Sequence, residues 1–318
     1  MSHKAIPYVF ILLILCSSNS FGQHKKQSFL SPSDSLNTTR LRAVSIGQGA
    51  VWLSSMVVLN QAWYANYPRS NFHLFNDIGE WNQIDKVGHA WSAYWGAQSS
   101  AGLFRWSGIP RKRAAIYGAG MGIAYESVIE ILDGFSSEWG FSLGDMAANT
   151  SGSLLFASQE YAWGEQRIQF KFSAHRVNYT DPVLNQKANN LYGASLPERI
   201  LKDYNGQSYW LSANLWSFAK QSHLPTWLNI AVGYGVDGLY GGYDNFWTDK
   251  KTGVYYDRTD IARSRQFYLS PDIDLSKIEW KGKRFKALKL LNSLKLKLPM
   301  PTLEYNTNGG LRMHAFYF

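Results

Sequence analysis

The sequence predicts an α+β protein: an N-terminal membrane-associated helical bundle, then a C-terminal antiparallel β-sheet that is either open or barrel-like. Three observations predict it. Up to Gly164, segments dense in Gly, Ala and Ser place their other residues at helical spacing. From Arg167 onward the period drops to two, the alternation of a strand. Trp and Tyr are abundant, 13 and 19 of 318 residues, and both suit membrane interfaces and β-rich surfaces. The organisation that follows is a signal peptide at 1–22, a linker at 23–42, the bundle at 43–164 and the β region at 165–318.

The first residues read as an export signal. Lys4 precedes an apolar run from Ala5 to Cys16, and Ser20 and Gly22 are small enough to direct cleavage before Gln23. The run is shorter than the ~20 residues of a transmembrane helix. Lipidation would use Cys16, but Leu15 stands where a lipoprotein signal wants a small side chain, so ordinary cleavage is expected. With its single cysteine removed, the exported chain has no disulfide and no thiolate chemistry. Export also argues against nucleic acid as the partner of the +9 net charge, and favours membrane lipid or lipopolysaccharide. Much of that charge lies at 277–297, where Lys277, Lys281, Lys283, Arg284, Lys286, Lys289, Lys295 and Lys297 accompany one acid, Glu279. This segment is either a solvated basic face or a membrane-surface contact.

The helices come next. Segment 43–64 is uncharged and helix-length, with Trp52 and the pair Trp63/Tyr64 towards its ends. A second helix is expected over 85–106, ended by Gly108 and Pro110, and a third over 111–132, stopping at Gly134. Ser142 is the expected N-cap of a fourth, with Asp145 three residues on, and Gly164 closes it. Gly118, Gly120 and Gly122 each cost ~1 kcal/mol of helix propensity in water. Such a density of small residues makes sense where helices pack backbone to backbone.

Strands are expected in "QRIQFKFSAHRVNY", "QSYWLSANLW", "WLNIAVGYGVDGLYGGY", "RQFYLSPDIDLSKI", "SLKLKLPMPTLEYN" and "GLRMHAFYF". Pro299 and Pro301 confine the penultimate one to an edge or a break. The ending Phe316 and Phe318 resembles the last strand of an outer-membrane barrel, though Arg312 and His314 would dilute an apolar outward face. A soluble antiparallel sheet is the alternative.

Function is concentrated in three polar stripes. Asp85 and His89 lie four apart; Glu126, Glu130 and Asp133 span seven; Asp145 and Asn149 again lie four apart. Each set therefore falls on one side of its helix. Carboxylates on such an apolar background are costly to bury unless they pair, bind a ligand or face water.

The strings "DKVGHAWSAYWGAQ" and "GAGMGIAYESVIEILDGFSSEWGFSLGDMAANTSGSL" resemble the YfiM-like family of periplasmic lipoproteins, with a weaker likeness to VanZ-like membrane proteins. The resemblance covers 84–155 and carries over Asp85, Lys86, His89, Glu126, Asp133, Asp145, Asn149 and Gly152. Tyr125 departs from it, since the lipoproteins tend to have Lys before the Glu. The family implies an envelope protein of undefined activity.

Three readings of the stripes stay open. In a hydrolase or transferase acting on an envelope lipid, His89 would be a general base, with Asp85, Glu126 and Asp145 completing the site and Lys86, Asp133 and Asn149 supporting it. No recognisable Ser or Cys nucleophile accompanies them. As a divalent-metal site, His89, Glu126, Asp133 and Asp145 would suit zinc or manganese, while the E-x-x-H pairs of di-iron bundles are missing. The third reading is a buried network that fixes helix register, in an envelope protein that binds lipid or a partner.

Overall fold

The computed structural model describes residues 29, 31–64, 67–278 and 292–317. The segment expected to be an export signal (with Cys16), the centre of the basic segment (279–291) and Phe318 lie outside them.

Helix α1 (Thr38–Leu59) starts earlier than expected because the Asn37 side chain accepts from the Arg40 amide at 2.9 Å and caps it. A π-helical turn prolongs it to Tyr64. Helices α2 (Ile84–Trp106), α3 (Arg111–Gly134) and α4 (Leu143–Ala162) pack tightly as a bundle. Ser142 caps α4 by accepting from the Asp145 amide at 3.0 Å. Small residues form the seam between helices. A Cβ at Gly152 would stand 1.9 Å from the Ala90 carbonyl oxygen, and one at Gly118 would stand 2.3 Å from that of Ala97. Gly120 faces open space and so takes no part in the seam. By contrast α1 packs loosely. Its start meets the end of α2, where Arg40 donates to the Trp106 carbonyl at 3.1 Å, and farther along Ser55 accepts from the Tyr125 hydroxyl of α3 at 3.0 Å. Val44 is its one buried residue, and Ile46, Val51, Leu53 and Val57 are exposed around it.

The β region also holds three helices that strand alternation did not suggest: α5 (Pro182–Tyr192), α6 (Leu196–Lys202) and the single turn α7 (Leu215–Phe218). Its main sheet is antiparallel throughout, in the order β1 (Ile168–Ala174), β2 (Gln207–Asn214), β3 (Leu228–Asp237), β6 (Ser264–Ile273), β7 (Met300–Asn306) and β8 (Gly310–Tyr317). A hairpin of β4 (Phe246–Thr248) and β5 (Tyr255–Asp257) stands apart. The sheet does not close into a barrel: β1 and β8 are its ends. The break expected from the prolines is a register shift in β7 between Met300 and Thr302, around Pro301.

Register gives this sheet two very different faces. Phe170, Leu211, Val232, Leu269, Leu303 and Met313 form one row across all six strands; Phe172, Tyr209, Tyr234, Phe267, Tyr305 and Leu311 form the next. At β1 and β2 this apolar face packs on α2, where Phe170 meets Tyr94 and both Phe172 and Tyr209 meet Trp91. Beyond β2 most of it is exposed, Val232 at 55 % and Met313 at 74 %, while Tyr234 packs on the core below the start of α2.

The opposite face is buried and polar. Lys171 donates to Asp272 at 2.6 Å, Ser212 donates to the same carboxylate oxygen at 2.6 Å, and Asn229 donates to Ser212 at 2.8 Å. His314 meets Glu304 at 2.6 Å on this side, and Arg312 pairs across from Glu304 in register. The two residues that would have spoiled an apolar outer face thus belong to the polar one.

Sheet curvature closes the polar face at its rims. Tyr317 reaches back to Tyr268, hydroxyl to hydroxyl at 2.5 Å, and packs on Trp210. On the other side the backbone of Lys295–Lys297 bonds both polar groups of Phe172, at 2.8 Å each, in a short parallel bridge to β1.

This overturns the solvated-face reading for Lys295 and Lys297, though not for the partly exposed Lys277. Lys277 pairs with Glu165 at 2.9 Å. Lys295 is buried and donates to Gln169 at 3.1 Å, and Lys297 is buried and donates to Ser270 at 3.1 Å. Burial pushes both buried ammonium groups down to about 8, against the pull of Asp274 on the first and Asp272 on the second. A base with a lowered folded pKa binds fewer protons folded than unfolded, so stability rises with pH between about 8 and 10.5. The wild type should therefore gain more stability over that window than a Lys295→Met/Lys297→Met variant. Denaturant midpoints measured at both ends check it, and parallel curves would mean the lysines are solvated.

Candidate functional site

The polar stripes meet at one end of the bundle, because α3 runs antiparallel to both α2 and α4. The first turns of α2 and α4 bring Asp85 and Asp145, where the positive helix end favours acids. The second half of α3 brings Glu126, Glu130 and Asp133 to the same level.

His89 stands at the centre. Its Nδ1 lies 3.6 Å from Glu126 Oε2, 3.8 Å from Glu130 Oε1 and 3.2 Å from Asn149 Oδ1, and its Nε2 lies 3.7 Å from Asp145 Oδ1. Burial alone would drive the imidazole neutral; the facing Glu126, Asp145 and Glu130 outweigh it and raise its pKa to about 10. Lys86 gathers the remaining acids, at 2.7 Å from Asp77, 2.9 Å from Asp85 and 2.9 Å from Asp145. Asp85 therefore joins the cluster through Lys86 and not through His89. Asp133 stands aside and accepts from the Tyr64 hydroxyl at 2.6 Å.

Two participants carried no periodic signal, since they lie in the irregular loop before α2. Asp77 accepts from Ser142 at 2.5 Å as well as pairing with Lys86. Burial opposes ionisation of Asp77, but the hydrogen bonds from Lys86 and Ser142 hold its carboxyl below the usual range. Glu80 goes the other way: burial, with Asp77 and Asp85 nearby, pushes it up to about 7. The same loop carries three consecutive non-glycine residues with left-handed backbone, Trp81, Asn82 and Gln83, at φ of 50°, 51° and 64°. Such a run is costly and persists only where surroundings over-determine it. Here Trp81 is wedged against Tyr192 and Tyr204, and the Asn82 carbonyl accepts from Tyr234 and, at 2.8 Å, from Arg265. The sheet thereby fixes where α2 begins.

Glu130 is missing from the catalytic set read in the sequence, although its stripe includes it. It is the most buried acid of the cluster at 1 % exposure; its Oε2 accepts from the Ser142 amide at 3.2 Å. Its other oxygen has no hydrogen-bond partner, nor has the buried Asn149 Nδ2. The two best-formed depressions of the described residues lie elsewhere, one lined by Arg167 and residues 217–222, the other by residues of α5 with Trp247 and Tyr256. The His89 side chain keeps 23 % of its surface exposed, while Glu126, Glu130 and Asp145 around it are buried.

Comparison with known proteins addresses this part of the chain. Residues 74–158 match a family described as a predicted periplasmic lipoprotein (DUF2279), whose function is unknown. The match takes in the loop, all three helices of the cluster and every residue named around His89. It agrees with an exported, periplasmic envelope protein. No curated protein and no solved structure matches the chain.

Proposed function

We propose that this is a lipid-embedded envelope protein that acts by contact with lipid or with a partner in the membrane, and that its charged cluster is a closed network at one end of the embedded bundle. One observation carries the reading: the sheet buries its polar face and leaves most of its apolar face bare. A water-soluble sheet does the reverse. Ile230, Val232, Phe267, Leu269, Leu303, Tyr305, Leu311 and Met313 together make an uncharged surface across β3, β6, β7 and β8. Contiguous bare apolar surfaces of more than a few hundred Å² mark membrane or protein contacts. The bare helix α1, long and apolar enough to cross a membrane, adds to it.

Lipopolysaccharide or anionic lipid as a ligand of the basic segment would rest on residues 279–291, since Lys295 and Lys297 point into the protein. A hydrolase or transferase reading needs a substrate cavity at His89, and the contacts of that ring with Glu126, Glu130, Asp145 and Asn149 support the network instead.

Embedding predicts membrane association that survives salt. Exposed charges are screened within ~8 Å at physiological ionic strength and less still in molar salt, whereas apolar burial is not screened. The protein should stay with membranes in molar salt and in carbonate, and come off in detergent. Release by salt alone would sink the embedded reading.

A further inference from the structure

We propose that His89, Glu130 and Asp145 form a binding site for one divalent transition-metal ion, zinc or manganese, set between the ends of α2, α3 and α4. The proposal does not depend on the lipid reading. One donor atom from each of the three lies within 4.8 Å of the other two. His89 approaches Glu130 Oε1 through Nδ1 at 3.8 Å and Asp145 Oδ1 through Nε2 at 3.7 Å. An imidazole ligates one ion through one nitrogen, so one of these distances compares with the ~3.4 Å between ligand atoms placed tetrahedrally at ~2.1 Å around zinc. The other carboxylate stands farther off, within 4.8 Å. Binding therefore requires that carboxylate to swing towards the ligating nitrogen. One imidazole nitrogen with carboxylate oxygens is a donor set that suits zinc or manganese and contains nothing soft enough to select copper(I).

A second observation points to a ligand independently of the clustering. Glu130 Oε1 is fully buried, faces His89 and has no hydrogen-bond partner. A buried acceptor left in that state costs free energy, and a cation in front of it removes the cost. Charge points the same way. Asp77, Asp85, Glu126, Glu130 and Asp145 surround only Lys86 and His89. Lys86 is already engaged by Asp77, Asp85 and Asp145 Oδ1, so among the described residues Glu126 and Glu130 have only the His89 ring as a cationic partner. Glu126 and Asn149 flank the His89 ring and would orient it, as the outer partners of a metal-bound imidazole do.

The test uses the full chain in detergent, without a histidine tag, stripped by a chelator and titrated with zinc chloride and separately with manganese chloride. One equivalent of at least one ion should bind, and the unfolding temperature should rise with ion concentration. Glu130→Gln, which keeps the shape of the side chain, and His89→Ala should each weaken binding by ~100-fold or more. Asp260→Asn, at an exposed carboxylate, should leave it unchanged. Absence of one-to-one binding of either ion overturns the site, and so does unchanged affinity in both variants. Should a variant fail to fold, X-ray absorption of the zinc-loaded wild type decides: the spectrum should contain one imidazole among oxygen ligands, and a spectrum without imidazole overturns the assignment.

Discussion

Replacing Asp272 with alanine is expected to cost about 3–5 kcal/mol of folding free energy, because it leaves buried cations without their partner. Asp272 is fully buried on the enclosed face of the sheet, where it holds Lys171 at 2.6 Å and lies 3.8 Å from Lys297. Neither ammonium group can move to water without opening the curve of the sheet. Ser212 would lose its acceptor at the same time, and through it the chain of amides to Asn229 and Asn214. A compensating pair separates charge from volume. Lys171→Met with Asp272→Leu removes the closer ion pair and should recover part of the loss, as buried ion pairs replaced by apolar residues commonly do, while Lys297 still lacks its carboxylate. Denaturant unfolding in detergent measures both. A loss below about 1 kcal/mol for the single variant would mean that water reaches this face.

The helices of the bundle were legible from short-range chemistry. Ser142, Gly134 and Gly164 mark ends that depend on residues within one turn, and the spacing of Asp85 and His89, or of Asp145 and Asn149, survives any way of packing the helices. Helices α5 and α6 also carried such signals. Asp181 precedes Pro182, and Ser195 with Glu198 forms a capping box. They were lost among segments read for alternation. The sheet was harder for a different reason. Alternation of Phe170 and Phe172 with Gln169 and Lys171 reveals two faces, but not which one the fold encloses. That depends on Asp272, 101 residues from Lys171, and on a backbone bridge at Leu296 that no local pattern announces. The same limit hid the fate of Lys295 and Lys297, which read as surface charge because their acceptors are remote in sequence. At the candidate site, Asp77 escaped notice since a loop has no period to flag it, whereas Asp133 was grouped with the stripe although Tyr64 holds it apart.

The seam between α2 and α4 offers the second large effect, and ties packing to the cluster. Gly152→Ala is expected to destabilise the protein by about 1–3 kcal/mol or more, the usual range for over-packing. Its Cβ would fall 1.9 Å from the Ala90 carbonyl oxygen and 2.7 Å from the carbonyl carbon. Those are backbone atoms, so no rotamer change relieves the clash, and the two helices have to separate. Ala90 follows His89 directly, and Asn149 lies one turn before Gly152 on α4, so the separation acts on the 3.2 Å contact between His89 and Asn149. Gly120→Ala supplies the opposite sign. That position is helical with nothing within 4 Å, so alanine should stabilise by up to ~1 kcal/mol through helix propensity alone. The contrast excludes a general intolerance of glycine substitution. Unfolding of both variants, together with the imidazole NMR signal of His89, reads the two links at once. If Gly152→Ala is as stable as the wild type and its His89 signal is unmoved, the close approach of α2 and α4 does not hold the cluster together.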